Sequence, residues 1–173
     1  AMTIPAIFKT SDSISYRYQS PGLDSLVYWF LRKSVNLYGE AFVRTIANEQ
    51  AQIYDAETGL DLIKKFWIAR GIPSSQLNIA DGSGLSPQNR VTTEALVEVL
   101  QYARTQPWYN VFYDALPVFN GMKMKSGSIN GARAYTGYHT SAAGRSYSFA
   151  IVVNNYEGSS SAVVSKMFKV LDS

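Results

Sequence analysis

Two short runs of the sequence carry side chains that could bind one ligand together. The first is Ser34-Val35-Asn36, which presents a hydroxyl and an amide. The second is Lys125-Ser126-Gly127-Ser128, which presents a cation, two hydroxyls and a glycine. Hydroxyls and amides both donate and accept hydrogen bonds, whereas lysine only donates. The two runs therefore suit a ligand that bears a carboxylate, provided that the fold brings them together.

The chemistry of the first run depends on the local backbone. On a continuous helix, residues two apart differ by about 200° in direction, so the side chains of Ser34 and Asn36 would point apart. They can converge on one ligand only if the chain leaves the helix there and two helices are joined by a tight loop. The alternative is an ordinary serine and asparagine on the polar side of one long helix, since S-x-N is a common tripeptide.

The second run has a plain explanation as well as a functional one. In a β-strand, Lys125 and Gly127 share one face, and Ser126 and Ser128 share the other. A cation beside bare backbone suits a ligand that adds to the strand as an extra edge, and a Cβ at Gly127 would obstruct that approach. The alternative is that Lys125 is an exposed edge lysine, a common protection against aggregation.

Apolar periodicity predicts the elements that must position these two runs. Helices are expected over residues 23–38 with the stripe resuming to 46, and over 58–70, 92–103, 112–116 and 159–171. Strands are expected over residues 13–18, 122–128, 132–139 and 146–154. Asp24 is expected to cap the first helix, and Thr92 or Thr93 the third. Helices followed by an antiparallel meander and a terminal helix indicate an α+β fold.

Composition excludes several functional classes. The 173 residues are 46% hydrophobic and 17% charged, which excludes a disordered chain, and the length is that of one domain. No apolar stretch approaches the roughly 20 residues of a transmembrane helix. A net charge of +3 is too weak and dispersed to indicate nucleic acid. With no cysteine and one histidine, we expect no thiolate catalysis, disulfide, metal site or cofactor.

Other candidate residues are given structural roles. His139 is expected at the surface near a strand end, and Asp55, Glu57 and Asp61 are interpreted as helix-capping carboxylates. Residues 81–87 form a loop by composition, and no lysine follows the run Gly82-Ser83-Gly84 as a phosphate-binding loop would require.

The wider sequence resembles one protein family. Its blocks are similar to Ser20-Pro21-Gly22-Leu23, to residues 33–40 (KSVNLYGE), to residues 81–86 (DGSGLS) and to Lys125-Ser126-Gly127-Ser128. The order of S-x-N and K-S-G matches part of the joint signature of serine β-lactamases and penicillin-binding proteins. Taken together, the blocks resemble the class C low-molecular-mass penicillin-binding proteins, the S13 family of D-alanyl-D-alanine carboxypeptidases. The resemblance implies half of a β-lactamase/transpeptidase-like domain, located in the periplasm or cell envelope.

The resemblance also implies a role for each residue of the two runs. Ser34 would relay a proton to the leaving amine, and Asn36 would hydrogen-bond the substrate amide. Lys125 would place positive charge near Ser34 and the substrate carboxylate, which Ser126 would also bind. Gly127 would leave room for the substrate, and the Ser128 N–H would form half of an oxyanion hole. Peptidoglycan D-Ala-D-Ala peptides and β-lactams are the implied partners.

The family's nucleophile motif is absent from these residues, because no serine or threonine is followed three residues later by lysine. Our expectation is therefore a C-terminal fragment that is inactive alone and lacks the nucleophile-bearing N-terminal half. Ala1-Met2 resembles a cloning remnant, and the uncovered apolar surface should promote self-association. The alternative is a non-catalytic peptidoglycan-binding or scaffold pseudoenzyme.

Overall fold

A computed structural model describes residues 19–141 and 143–172 and shows an α+β arrangement in them. The helices of this part are α1 (Leu23–Lys33), α2 (Asn36–Ala51), α3 (Ala56–Ile68), α4 (Thr93–Arg104), α5 (Tyr109–Ala115) and α6 (Ser160–Leu171). The strands are β1 (Leu77–Asn78), β2 (Arg90–Val91), β3 (Val118–Phe119), β4 (Met122–Ile129), β5 (Ala132–Thr140) and β6 (Ser146–Asn154). The expected strand at 13–18 and the remnant at 1–2 lie outside the described residues.

The main sheet is an antiparallel meander in the order β3-β4-β5-β6. Lys125 of β4 lies opposite Thr136 of β5, and Thr136 lies opposite Ala150 of β6. The β4–β5 turn uses Gly131 at a φ of 71°, a left-handed conformation that suits glycine. A separate antiparallel pair of two-residue strands, β1 and β2, lies within the connection between α3 and α4.

One face of the sheet packs against the C-terminal helix. Met122 and Met124 of β4 are buried there with Tyr135 of β5 and with Val163 and Met167 of α6. The side chains of α6 that reach this core recur at three- and four-residue steps, as expected for an amphipathic helix. Ser159 begins that helix by accepting a hydrogen bond from the N–H of Ala162 at 3.2 Å.

The opposite face of the sheet packs against helices from the first two thirds of the chain. Tyr138 of β5 is buried against Leu100 of α4 and Leu116, and Leu31 of α1 packs against the same cluster. The Tyr138 hydroxyl donates to the carbonyl of Leu100 at 2.7 Å. Burial raises the pKa of Tyr138 above its ordinary value, because the phenolate would lose water.

Most of the predicted elements are confirmed, with shifted ends. The helix expected over 58–70 runs from Ala56 to Ile68, and Asp55 caps it by accepting from the N–H of Thr58 at 2.7 Å. Thr92 caps α4 in the same way, since it accepts from the N–H of Ala95 at 3.1 Å.

Two expectations about helix ends and strands were incomplete or wrong. Asp24 does not cap α1, which begins at Leu23; the carboxylate lies inside the first turn and accepts from the N–H of Ser25 at 2.8 Å. A carboxylate is still favourable there, because the N-terminus of a helix carries a partial positive charge. The strands β1, β2 and β3 were missed because two residues cannot show a period.

His139 lies one residue before the end of β5, as expected, and is partly rather than fully exposed. Within residues 19–141 and 143–172, no helix has the length and apolar composition needed to cross a membrane.

We predict that substitution by alanine is tolerated at Gly127 of the sheet but not at Gly137. A Cβ at Gly137 would lie 2.2 Å from the carbonyl oxygen of Lys123, whereas one at Gly127 would meet only the Ala134 side chain at 3.5 Å. Gly137→Ala should lower the free energy of unfolding by about 1–3 kcal/mol through overpacking. Gly127→Ala should change it by less than about 0.5 kcal/mol. Urea denaturation measures both, and equal effects would contradict the close approach at Gly137.

Candidate active site

The helical region that contains Ser34 and Asn36 is interrupted between them. Ser34 ends α1 in the left-handed conformation, with φ of 52° and ψ of 49°, and α2 begins two residues later at Asn36. Non-glycine residues rarely adopt this conformation and retain it at functional sites when their surroundings enforce it. The tight connection between two helices that a shared ligand would require is therefore present.

This connection brings Ser34 to Lys125. The Lys125 Nζ donates to the Ser34 Oγ at 3.0 Å and to the carbonyl of Ser126 at 2.8 Å. The two residues are 91 positions apart in the sequence, so the contact depends on the tertiary fold. A hydroxyl bonded to an ammonium group can exchange protons with a bound ligand while the cation stabilises negative charge on the oxygen.

Lys125 is partly buried, and burial lowers its pKa below the ordinary lysine value because the charged form loses water. In the part of the chain that the structure describes, the ion pairs are Arg44 with Glu40 and Lys64 with Asp61, and neither includes Lys125. A partly desolvated cation without a carboxylate partner is well suited to an anionic ligand.

The rest of the second run lies along an open strand edge. β3 pairs with β4 only at Met122 and Lys123, so among the described residues no strand covers that side of β4 beyond the hydrogen bond from the Met124 N–H to the Pro117 carbonyl. Gly127 and Ser128 are exposed, whereas Ser126 is half-buried. Alternation places Ser126 and Ser128 on the face opposite Lys125, so their hydroxyls are not brought to Ser34.

Asn36 is the first residue of α2 and is exposed. It lies two residues after Ser34, on the helix that begins at the turn. The structure therefore joins Ser34 to Lys125 by a direct contact. It places Asn36 at an exposed position at the start of α2, and Gly127 and Ser128 at exposed positions of β4.

The loop at residues 81–86 packs against the start of α2. Gly39 and Gly82 approach so closely that a Cβ on Gly39 would lie 2.2 Å from the Gly82 carbonyl oxygen. Glu40 holds the loop with one carboxylate oxygen, which accepts from the N–H groups of Gly82 at 3.1 Å and Ser83 at 3.0 Å. Its other oxygen pairs with Arg44 at 3.2 Å.

Asp81 organises the inside of this loop. Its carboxylate accepts from the N–H groups of Gly84 and Ser86, from the Ser83 hydroxyl at 3.2 Å and from the Asn89 amide at 3.1 Å. Burial alone would raise its pKa, but these hydrogen bonds hold the pKa of Asp81 below its usual range. The loop is thus built around a carboxylate and is not free to bind phosphate.

A cavity of about 480 Å³ adjoins the strand edge. One wall is formed by the end of β4, including Gly127 and Ser128, with residues of β5 and β6 that include Arg133 and Asn154, and the other by the loop after Gly84 and the start of α4. Its lining on the sheet side combines small residues with the polar side chains of Arg133 and Asn154, so the cavity can accept further groups next to the candidate ligand edge.

Sequence reasoning missed the roles of Glu40, Gly39 and Gly82. In the sequence these residues stand out only as members of the blocks that resemble a family. A hydrogen bond between residues 42 positions apart leaves no local pattern. Among the described residues, no three histidine, aspartate or glutamate side chains gather to hold a metal ion.

Comparison with known proteins gives one family and a consistent fold. The family model described as D-Ala-D-Ala carboxypeptidase 3 (S13) matches residues 9–172. A D-alanyl-D-alanine carboxypeptidase from an Actinomadura species is 27% identical over 90% of the chain and 32% of that protein. The chain thus spans about a third of the length of the curated relatives it matches.

Two solved structures are similar to the fold. Penicillin binding protein 4 (dacB) from Haemophilus influenzae, solved with a β-lactam, aligns with a TM-score of 0.75 at 22% identity, covering 85% of this chain and 40% of that one. A class A β-lactamase representative from Bacteroides cellulosilyticus aligns with a TM-score of 0.61 at 20% identity, covering 87% and 64%. At these identities the likeness concerns the fold, which is that of β-lactamase-like domains.

We predict that Asp81→Asn destabilises the protein, because an amide cannot accept all the hydrogen bonds that the carboxylate accepts. The free energy of unfolding should fall by roughly 1–3 kcal/mol in urea denaturation. The control is Asp61→Asn on the surface of α3, where the carboxylate lies 4.0 Å from the Lys64 ammonium group and a loss below about 0.5 kcal/mol is expected. Equal losses would show that Asp81 does not organise the loop.

We also predict a pH signature for Lys125. The pKa of Lys125 is lower in the folded protein than in the unfolded chain, where it has the ordinary lysine value of about 10.4. At pH values between these two pKa values, the unfolded chain therefore binds more protons than the folded protein. Wild-type stability relative to Lys125→Met should rise as pH increases toward the higher of the two values. Tyr109 and Tyr138, whose pKa values are raised, are present in both proteins, so their effects cancel in the difference. A pH-independent difference would contradict the burial of Lys125.

Proposed function

The chain belongs to the D-Ala-D-Ala carboxypeptidase 3 (S13) family, and from that membership we propose that it forms the substrate-binding half of a serine-type carboxypeptidase. The whole protein would cleave the terminal D-Ala-D-Ala bond of peptidoglycan stem peptides through an acyl-enzyme. The observation that carries this proposal is the 3.0 Å hydrogen bond between the Lys125 Nζ and the Ser34 Oγ, which joins the two motifs.

Substrate binding follows from the open edge of β4. A peptide added to this edge would exchange backbone hydrogen bonds with the strand. Its terminal carboxylate would be attracted to the Lys125 ammonium group, which has no carboxylate partner among the described residues. Gly127 supports the close approach because it is exposed and has no side chain. Ser126 lies on the opposite face of β4, so its hydroxyl would meet the carboxylate only at the open strand edge. Asn36 would contribute an amide to the substrate.

The chemistry proposed for Ser34 is proton transfer. When the peptide bond breaks, the leaving amine requires a proton, which the Ser34 hydroxyl can deliver while Lys125 stabilises the oxygen. The N–H of Ser128, on the exposed end of β4, would donate to the oxygen of the tetrahedral intermediate. No metal or cofactor is needed for these steps.

The attacking serine is proposed to come from outside these 173 residues. They contain no S-x-x-K motif, and the curated relatives are about three times as long. Without the nucleophile and its half of the oxyanion hole, the isolated chain should be inert and should self-associate through exposed side chains such as Trp29 and Trp108. Since peptidoglycan is the proposed substrate, we place the protein in the periplasm or cell envelope.

The missing motif also supports a second candidate. If the whole protein lacks S-x-x-K, the cleft would bind peptidoglycan peptides or β-lactams without cleaving them, as a scaffold. The two candidates differ in a single measurable property, the formation of a covalent bond to a β-lactam.

We predict that a fluorescent penicillin labels the full-length protein covalently but does not label the 173-residue chain. In the full-length protein, Ser34→Ala should slow acylation about 10²- to 10⁴-fold, because proton transfer is lost. Ser165→Ala on the exposed side of α6 is the matched control and should not slow it. Reversible binding without any covalent adduct would favour the scaffold, and no binding at all would reject both candidates.

A further inference from the structure

Two cations from distant parts of the chain bind one backbone carbonyl. The Arg32 Nη2, in the last turn of α1, donates to the carbonyl oxygen of Asp114 at 2.9 Å. The Lys123 Nζ, near the start of β4, donates to the same oxygen at 3.2 Å and to the carbonyl of Leu116 at 3.5 Å. A carbonyl oxygen has two lone pairs, so it can accept both donors.

The position of Asp114 explains why this carbonyl is available. Asp114 lies in the last turn of α5, and the final four carbonyls of a helix have no partner within that helix. Arg32 and Lys123 supply the missing partners from two other elements. The end of α5 thereby connects the end of α1 to the start of β4.

Arg32 and Lys123 each precede a residue of the candidate active site by two positions. Ser34 follows Arg32 at the end of α1, and Lys125 follows Lys123 on the same face of β4. The Asp114 carbonyl and the Ser34–Lys125 hydrogen bond therefore form two successive links between the same two segments. Lys33 and Met124 lie between the links.

The hydrogen bonds to the Asp114 carbonyl support the Ser34–Lys125 hydrogen bond, which the side chains of Ser34 and Lys125 alone would not hold in place. Ser34 is exposed, and a lysine side chain is long and flexible, so a hydrogen bond between them alone would be lost often. Arg32 is more firmly placed, because its guanidinium also lies 5.2 Å from the Tyr28 ring. Lys123 in turn lies 5.4 Å from the Tyr113 ring of α5.

We propose that Arg32 and Lys123 are positioning residues for the Ser34–Lys125 pair, and that the Asp114 carbonyl is the shared anchor that holds α1 and β4 in register. The catalytic meaning of this anchor rests on the proposed function, whereas its effect on the pair can be measured in the full-length protein without any substrate or β-lactam.

The test measures hydrogen exchange of the Lys125 ammonium group by lysine-selective NMR, with the signal assigned by its loss in Lys125→Met. In the wild-type chain the hydrogen bond to Ser34 should slow this exchange. Lys123→Met and Arg32→Met should each speed it about two- to tenfold, because the pair opens more often. Lys123→Arg, which retains a cationic donor, should restore most of the protection.

Lys169→Met on the exposed side of α6 is the control for loss of a lysine charge, and it should leave the exchange of Lys125 unchanged. Circular dichroism establishes that each variant is folded. If Lys123→Met does not fold, Arg32→Met decides, since it removes the anchor from the opposite segment. Folded anchor variants with wild-type exchange at Lys125 would overturn the proposal. A failure of penicillin labelling would not affect this readout, so the two proposals can fail separately.

Discussion

The two-residue alternation of β4 is the constraint on which the rest of the molecule depends. Met122 and Met124 point into the core beneath α6, and this obliges Lys123 and Lys125 to point toward the helices on the other face. A shift of the β4 register by one residue would place both ammonium groups in the core that Met122 and Met124 form with α6. The burial of two apolar side chains therefore orients the two cations that meet α5 and Ser34.

The meander and the long helices could be predicted from the sequence, because they depend on local patterns. Alternation from Ser146 to Asn154 and the stripe of α6 each repeat several times, and the observed ends differ by only a residue or two. The Ser34–Lys125 contact was foreseen only through the resemblance of the two motifs to a family. A tight loop between two helices at Ser34 was one of two open alternatives, and its left-handed conformation was not predicted, because serine does not mark such a turn as glycine would.

The parts that could not be predicted are formed between residues far apart in the chain. The bond from Arg32 to Asp114 joins residues 82 positions apart, and its acceptor is a backbone atom that any residue type would provide. Glu40 could equally have been a surface carboxylate in an amphipathic helix, since nothing beside it indicates the loop that it binds. Such contacts depend on the final packing of the helices and are invisible to periodicity.

At position 34, the residue that would stabilise the backbone best is not the residue that provides a hydroxyl to Lys125. Glycine would adopt the left-handed conformation at this position without the steric cost that serine incurs. A protein optimised for folding alone would therefore carry glycine at the end of α1 and would lose the hydroxyl that meets Lys125. Computational redesign aimed at thermal stability alone would therefore favour changing position 34 to glycine. Serine at this position costs stability, and a stabilised derivative intended to retain the hydrogen bond between Ser34 and Lys125 should exclude this position from redesign.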